Sequence, residues 1–236
     1  MAHDLRLQVR TYSKPYLCLA TLGLGILALI TGCDTKPDMP NGVQLIEKPA
    51  FGNLDPTAQK TLTTLTQKLL QSQTFEGTPL TFPELAKQYA NVGDAFQSYG
   101  IIDQAIICYR NAIILGDATP APWHYHLAQS LRKNGDLATA VAHYKIARKL
   151  LNEQNGTDKQ KLATLFHLGE CQLELTLDED ARASFQAALT VGTNIDDAVC
   201  HLAIGQTYLQ SDPGEAINHL LTALESSPQA TNVHYS

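Results

Sequence analysis

The chain has 236 residues, 44% of them hydrophobic and 7% aromatic, with 17 Lys and Arg against 23 Asp and Glu and a net charge of −6. This composition permits one domain with a core of its own and excludes a polytopic membrane protein. No basic cluster follows residue 33 in the sequence, which argues against nucleic acid and polybasic-type lipid binding.

Arg6, Arg10 and Lys14 form a positive leader ahead of residues 16–30, an apolar run of 15 residues without a charge, and Ile30-Thr31-Gly32-Cys33 closes it with small residues. That order is the order of a secretory signal. The run is shorter than the roughly 20 residues a helix needs to cross the hydrocarbon core, which disfavours a retained transmembrane anchor. Ile30-Thr31-Gly32-Cys33 resembles the lipobox of bacterial lipoproteins, in which the cysteine thiol is diacylated, the preceding peptide bond is cut and the new amino terminus is acylated. The resemblance implies a signal peptide over residues 1–32, lipid on Cys33 and a cell-envelope location on the periplasmic side of a bacterial membrane. Asp34 resembles the signal for staying in the inner membrane. A plain secretory signal cut nearby and an uncleaved anchor remain the alternatives. Two or three acyl chains anchor stably where one is marginal.

Loss of residues 1–32 removes three basic side chains and one acidic one, taking the formal charge from −6 to −8. Of the five cysteines, Cys18 leaves with the signal and Cys33 carries lipid, so Cys108, Cys171 and Cys200 face an oxidising compartment. Three is odd, so at least one thiol stays free or pairs with another chain. There is no CxxC and no CxxCH, hence no case for a thioredoxin-like site or an attached haem, and no cofactor is expected.

Residues 33–54 hold prolines and glycines without periodicity and read as a lipidated N-terminus and flexible tether. Residues 55–81 read as a capping helix and loop: Asp55-Pro56 supplies an N-cap and a first-turn proline, and Leu62, Leu65, Leu69 and Leu70 make an apolar stripe over residues 56–72. The loop with Gly77 and Pro79 ends at Thr81-Phe82-Pro83-Glu84, the pattern of a capping box. From residue 82 to 236 the chain reads as helical, and no sheet is expected.

Four segments are self-similar. Gly93, Ala128, Gly169 and Gly205 correspond, as do Ala105, Ala140, Ala181 and Ala216, and Ala112, Ala147, Ala188 and Ala223, with spacings of 35, 41 and 35 or 36. The longer middle spacing places a loop at Asn152-Glu153-Gln154-Asn155-Gly156-Thr157. In this register the sequence resembles the tetratricopeptide repeat (TPR) family, whose unit is 34 residues of two antiparallel helices. The first repeat matches closely through Tyr89, Val92-Gly93, Phe96, Gly100, Ala105, Tyr109 and Ala112. The third departs at Gln172 and Thr176, where a large residue and a glycine are usual, and the fourth lacks one residue at Asp212-Pro213-Gly214. The resemblance implies an all-α fold, a right-handed helical-hairpin solenoid of about four repeats (about 86–119, 120–154, 162–195 and 198–231), with the start of a fifth at 231–236. His234-Tyr235-Ser236 falls where His124-Tyr125-His126 falls in the second repeat, so either a longer protein continues the array or a partner covers the last face.

By the same resemblance the first helix of each repeat faces a concave groove. The groove-facing set is Asn91, Asp94, Gln97 and Ser98, then Tyr125, His126, Gln129, Arg132 and Lys133, then Phe166, His167, Glu170 and Glu174, then Leu202, Gln206 and Gln210. A mixed-charge groove with Tyr125 and Phe166 suits an extended or helical peptide. The reading against it is a merely solvated polar face. Ala90 and Asp94 stand where a C-terminal carboxylate clamp would need other residues, so that ligand class is not expected. His124 and His201 occupy large-residue positions and read as packing, and no metal site is expected from the histidine spacing. Cys171 and Cys200 lie on neighbouring first helices, as a bridge or as buried small-residue packing. No phosphate loop, HExxH or G-x-S-x-G is present, so no enzyme and no small-molecule substrate is expected. The functional expectation is a membrane-tethered interaction module for another envelope protein or peptide segment. The alternatives are a structural subunit of an envelope complex and the docking arm of a longer envelope enzyme.

Overall fold

The structure, a computed structural model, describes residues 39–46, 51–52, 54–73, 80–191 and 194–226. All of these lie in one compact unit, Pro37–Ser236. The signal over residues 1–32, Cys33 with its lipid, Asp34, the loop residues Gly77 and Pro79, and the fifth-repeat start at His234, Tyr235 and Ser236 lie outside the described residues.

The described residues form nine α-helices and no strand: α1 (Pro56–Gln73), α2 (Phe82–Ser98), α3 (Ile102–Leu115), α4 (Ala121–Lys133), α5 (Leu137–Glu153), α6 (Asp158–Glu174), α7 (Asp178–Leu189), α8 (Asn194–Tyr208) and α9 (Pro213–Ser226). Among the described residues no helix is long and apolar enough to cross a membrane. Each helix packs on the next, and α2 also meets α4 and α6 meets α8. Four hairpins therefore stack with their first helices (α2, α4, α6, α8) along one side. Helix α1 lies against α2 ahead of the array.

Local chemistry sets the helix ends. Asp55 Oδ1 accepts from the backbone of Thr57 and Ala58 at 2.9 and 3.0 Å. Thr81 and Glu84 cap each other's backbone N–H ahead of Pro83, and Thr157 and Gln160 do the same at the start of α6. Residues Gly100, Gly135 and Thr176 end α2, α4 and α6 at positive φ of 75°, 84° and 59°. In each case the next residue's N–H returns to the helix: Ile101 to Phe96, Asp136 to Leu131 and Leu177 to Gln172. Thr176 thus adopts by strain what glycine adopts freely, at a cost of about 1 kcal/mol for a residue with a Cβ. Thr176→Gly is expected to raise the thermal midpoint by roughly 2–4 °C, and a lowered midpoint would show that the turn is not strained.

The repeat core follows one rule. A small residue on the first helix receives a large one from the second: Gly93 meets Tyr109, Gly169 meets Phe185 and Gly205 meets Leu220. Ala128 and Tyr144, both fully buried, occupy the same positions in hairpin two. A continuous core runs from Ile46 and Phe51 through α1–α5 to Leu168 and Cys171 in α6. Beyond it the described residues form three small clusters, built around Phe185 and Ile204, Leu165 and Cys200, and Leu202 and Ala223. Cys108 and Cys171 are buried thiols, so no bridge joins Cys171 to Cys200, and burial pushes the Cys171 thiol up to about 11.

Two features differ from the sequence reading. The 33–54 segment is no free tether where it is described, because residues 39–46 dock on α1 and α3 and Ile46 is only 3% exposed. The cause is two carboxamides acting as a substitute strand. Gln44 N donates to Asn111 Oδ1 (2.9 Å) and Asn111 Nδ2 donates to Gln44 O (2.6 Å), while Ile46 N donates to Gln73 Oε1 at 3.1 Å. Phe51 adds its ring to Phe96, with centroids 6.2 Å apart. The second difference is the extra length between hairpins two and three. It is mostly helix: Asn152 and Glu153 continue α5, and α6 begins at Asp158. Only residues 154–157 turn, with Asn155 at φ 54° and Gly156 N donating to Leu151 O at 2.7 Å.

Candidate partner-binding groove

The first helices α4, α6 and α8 bring together Tyr125, His126, Gln129, Arg132, Phe166, His167, Glu170, Glu174 and Gln206. Their centre is a charged knot between hairpins two and three. Arg132 Nη1 donates to Glu170 Oε2 at 2.5 Å, and Arg132 Nε and Nη2 both donate to Glu174 Oε1 at 2.9 and 2.6 Å. His167 Nδ1 stands 2.7 Å from the same Glu170 oxygen. Burial raises the Glu170 carboxyl, but the bonds from His167 and Arg132 outweigh it and hold the group below its usual range. Burial likewise works against the Arg132 charge, and the two glutamates more than restore it. These side chains are 28–43% exposed, so the knot fixes geometry more than it adds stability.

Two open cavities lie along these helices, one between the N-terminal halves of α4 and α6 and one at the knot. The first, of about 310 Å³, is lined by Pro122, Tyr125, His126, Leu151, Lys159 and Ala163 among others. The other, of about 250 Å³, has an apolar floor of Phe166, Leu173, Phe185, Leu202 and Ala203, with Val199 and Gln206 at α8 and Arg132, Glu170 and Glu174 on its charged side. Tyr125 links the two halves, its ring centroid 5.8 Å from Tyr144 and 6.0 Å from His167, and its hydroxyl accepts from Gln129 Nε2 at 3.0 Å. His126 Nδ1 and Tyr144 Oη are buried without a hydrogen-bond partner, an unmet cost of roughly 1–3 kcal/mol each.

Several residues read from the sequence as groove-facing do other work. Gln97 Nε2 donates to His126 O and Ser130 Oγ, both at 3.1 Å, bracing hairpin one on hairpin two. Asp94 Oδ1 accepts from Tyr109 Oη at 2.7 Å, and Ser98 Oγ donates back to Asp94 O. Asn91 borders α1, lining a 70 Å³ crevice with Leu65, Lys68 and Leu69. Leu202 is buried against Ala223 and forms floor rather than rim. Lys133 and Gln210 are exposed and line neither cavity. Leu173, Phe185, Val199 and Lys159 were missed. For Val199 a signal was present, since it lies one turn before Ala203 on a first helix.

A second arrangement recurs in hairpins two and four. His124 and His143 approach Nδ1 to Nδ1 at 2.9 Å, and His201 and His219 at 3.0 Å. In both pairs the centroids are 5.2 Å apart and the ring planes within 27° and 29°, so the rings meet edge to edge, nitrogen pointing at nitrogen. This is the geometry of an N–H···N hydrogen bond. A metal ion between the nitrogens would need about 4 Å for two bonds of about 2 Å in line. Among the described residues no group of three or more His, Cys, Asp or Glu is placed to hold a metal ion.

Residues 119–194, which span α4 to α7, match the tetratricopeptide repeat family. The fold is a tetratricopeptide-repeat solenoid. The chain is 27% identical over 180 residues to the anaphase-promoting complex subunit cut9 of Schizosaccharomyces pombe, a match covering 62% of this chain and 26% of that protein. The tetratricopeptide protein YrrB, solved with an unusual peptide-binding site, superposes with a TM-score of 0.60 at 16% identity, over 76% of this chain and 86% of its own. Cut9 in the APC/C hetero-tetramer Cut9-Hcn1 superposes with a TM-score of 0.56 at 24% identity, over 75% of this chain and 32% of its own. The similarity is that of tetratricopeptide architecture. The chain spans about a quarter of the length of the curated relative it matches.

Proposed function

We propose that this chain is a non-catalytic interaction module that takes a segment of another envelope protein into the concave face of hairpins two to four, and that lipid on Cys33 holds it to a bacterial membrane. The carrying observation is the pair of open cavities along α4, α6 and α8, one of them against the Arg132–Glu170–Glu174 knot, lined by Tyr125, His126 and Phe166 among others. Aromatic anchors with an apolar floor and a polar rim are what a bound peptide uses. The peptide-binding site of YrrB and the assembly of Cut9 with Hcn1 are consistent with a protein partner. The membrane part rests on the charged leader, the apolar run and Ile30-Thr31-Gly32-Cys33.

A second reading has its own observation. Ile217 on α9 takes the position of Ile106 and Val141, which are 5% and 9% exposed, and of Arg182, which reaches Thr207 on the following helix. Yet Ile217 is 57% exposed and Leu221 53%. A structural subunit would use this end face instead of the groove.

The test is recovery of co-purifying proteins with the full chain from detergent-extracted membranes, comparing Cys33→Ser, Val199→Asp and Ile217→Asp. Val199 and Ile217 are exposed, so either change costs at most about 0.5 kcal/mol of stability. The groove reading expects Val199→Asp to lose the partner by about tenfold or more, equivalent to about 1.4 kcal/mol, with Ile217→Asp unaffected. The reverse pattern establishes the end face, and equal recovery from both variants sinks both. The N-terminal peptide is expected to carry the mass of a diacylated Cys33, and an intact 1–32 segment would overturn the anchor.

A further inference from the structure

We infer that the groove's occupant over hairpins three and four is a peptide segment with one large aliphatic or aromatic side chain and a Lys or Arg beside it. This rests on the groove reading and deepens it. The 250 Å³ cavity lies below the roughly 300 Å³ at which pockets for whole small ligands begin, which suits one or two side chains of a longer segment. Its floor of Phe166, Leu173, Phe185, Leu202 and Ala203 offers nothing polar, so the side chain it takes is apolar.

The rim decides the charge. Arg132 contributes one positive charge against the two carboxylates of Glu170 and Glu174, and both bonds to Glu174 fall on Oε1, which leaves Oε2 at the rim of a side chain 43% exposed. The wider field has the same sign. Residues 162–226 contain ten Asp and Glu and a single basic residue, Arg182. That one cation is engaged, lying 3.6 Å from the centroid of the Tyr208 ring and donating to Thr207 Oγ1. Residues 121–161 are opposite in character, with seven Lys and Arg against three Asp and Glu. The sequence as a whole shows no basic run, and the solenoid nonetheless separates its charge, basic over hairpin two and the first turn of α6 and acidic from residue 162 to 226. A cation near Glu174 is attracted by this field, an anion there is repelled, and a low-dielectric apolar floor strengthens both effects.

The experiment pans a displayed random dodecapeptide library on the full chain at low and at physiological salt. It reads enrichment on the wild type, Val199→Asp and Glu174→Gln, with thermal melts to show that all three fold. The expected result is enrichment of Lys or Arg within two positions of Leu, Ile, Phe or Met. Binding of the selected peptides should fall about tenfold or more in Val199→Asp and several-fold in Glu174→Gln, with the Glu174 effect shrinking as salt rises. Enrichment that depends on Val199 but shows no basic preference, or an acidic one, overturns this inference and leaves the groove reading standing. No enrichment that depends on Val199 overturns both.

Discussion

Gly169→Ala is expected to destabilise the solenoid by about 2 kcal/mol, although alanine is the better helix former. The propensity gain from glycine to alanine in a helix interior is about 1 kcal/mol. Against it stands the Phe185 ring, whose carbons Cε1, Cδ1 and Cζ would lie 2.6, 2.8 and 2.8 Å from the new Cβ. Phe185 is fully buried and rests on Phe166, with centroids 5.4 Å apart, so moving the rigid ring also disturbs that contact. Overpacking of this kind costs about 1–3 kcal/mol, and here its upper end applies because three ring atoms are struck together. Gly205→Ala is the control. Its new Cβ would meet Leu220 at 3.1 and 3.2 Å and Ala216 O at 3.3 Å; a half-buried leucine can rotate away, and the milder carbonyl contact offsets the propensity gain. Urea titration is expected to show a lower midpoint for Gly169→Ala and little change for Gly205→Ala. Equal behaviour of the two would contradict the packing argument.

Acid is expected to remove about 3 kcal/mol of stability through His124 alone. This side chain is 6% exposed, and burial, followed by the nearby His143, lowers its pKa from 6.5 to about 4. Burial also lowers His143, with Arg110 adding to the effect and Asp136 opposing it, and burial and His219 lower His201. The unfolded chain therefore binds these protons more readily than the folded one. Stability is whole above about pH 7 and is lost as pH falls through 6.5 toward 4, and a gap of that size corresponds to about 3 kcal/mol. The paired geometry supplies the mechanism, since one N–H between two Nδ1 atoms makes a bond and two make a repulsion. Hairpin three shows how to remove the effect, because it carries Leu165 and Ser184 at the positions of His124 and His143. His124→Leu with His143→Ser is expected to flatten the dependence of the urea midpoint on pH between 7 and 4.5. An unchanged slope in the double variant would place the acid sensitivity elsewhere.

The hairpins were legible because close packing left its mark at fixed spacing. Gly169 and Phe185 are sixteen residues apart, as Gly93 and Tyr109 are, and no partner from another hairpin is needed to recognise the pair. Thr81 and Glu84 were legible for the same reason, a cap being a local event. What escaped was chemistry between distant residues. Asn111 binds the backbone of Gln44 across 67 residues. Nothing in the local pattern marks a buried asparagine as the partner of a docked strap, so residues 39–46 looked like tether. The histidine pairs are half visible: His124 and His201 share a repeat position and read as packing. Their partners His143 and His219 share another, three residues after Ala140 and Ala216, and the hydrogen bond exists only once the two helices face each other. Arg132 was expected in the groove, but its bridge to Glu170 and Glu174 joins two repeats and follows from superhelical stacking alone.

The division of the core gives the groove a mechanical role. The part clasped by residues 39–46 shares one continuous core, whereas the described residues of α8 and α9 rest on small clusters. The second cavity spans that boundary, from Arg132 on α4 to Gln206 on α8. An occupant lying along it therefore acts as a splint, and at a hundredfold excess over its Kd it adds about 2.7 kcal/mol to whichever state holds α8 in place. A partner bound there would thereby lengthen the lifetime of the very hairpins that receive it.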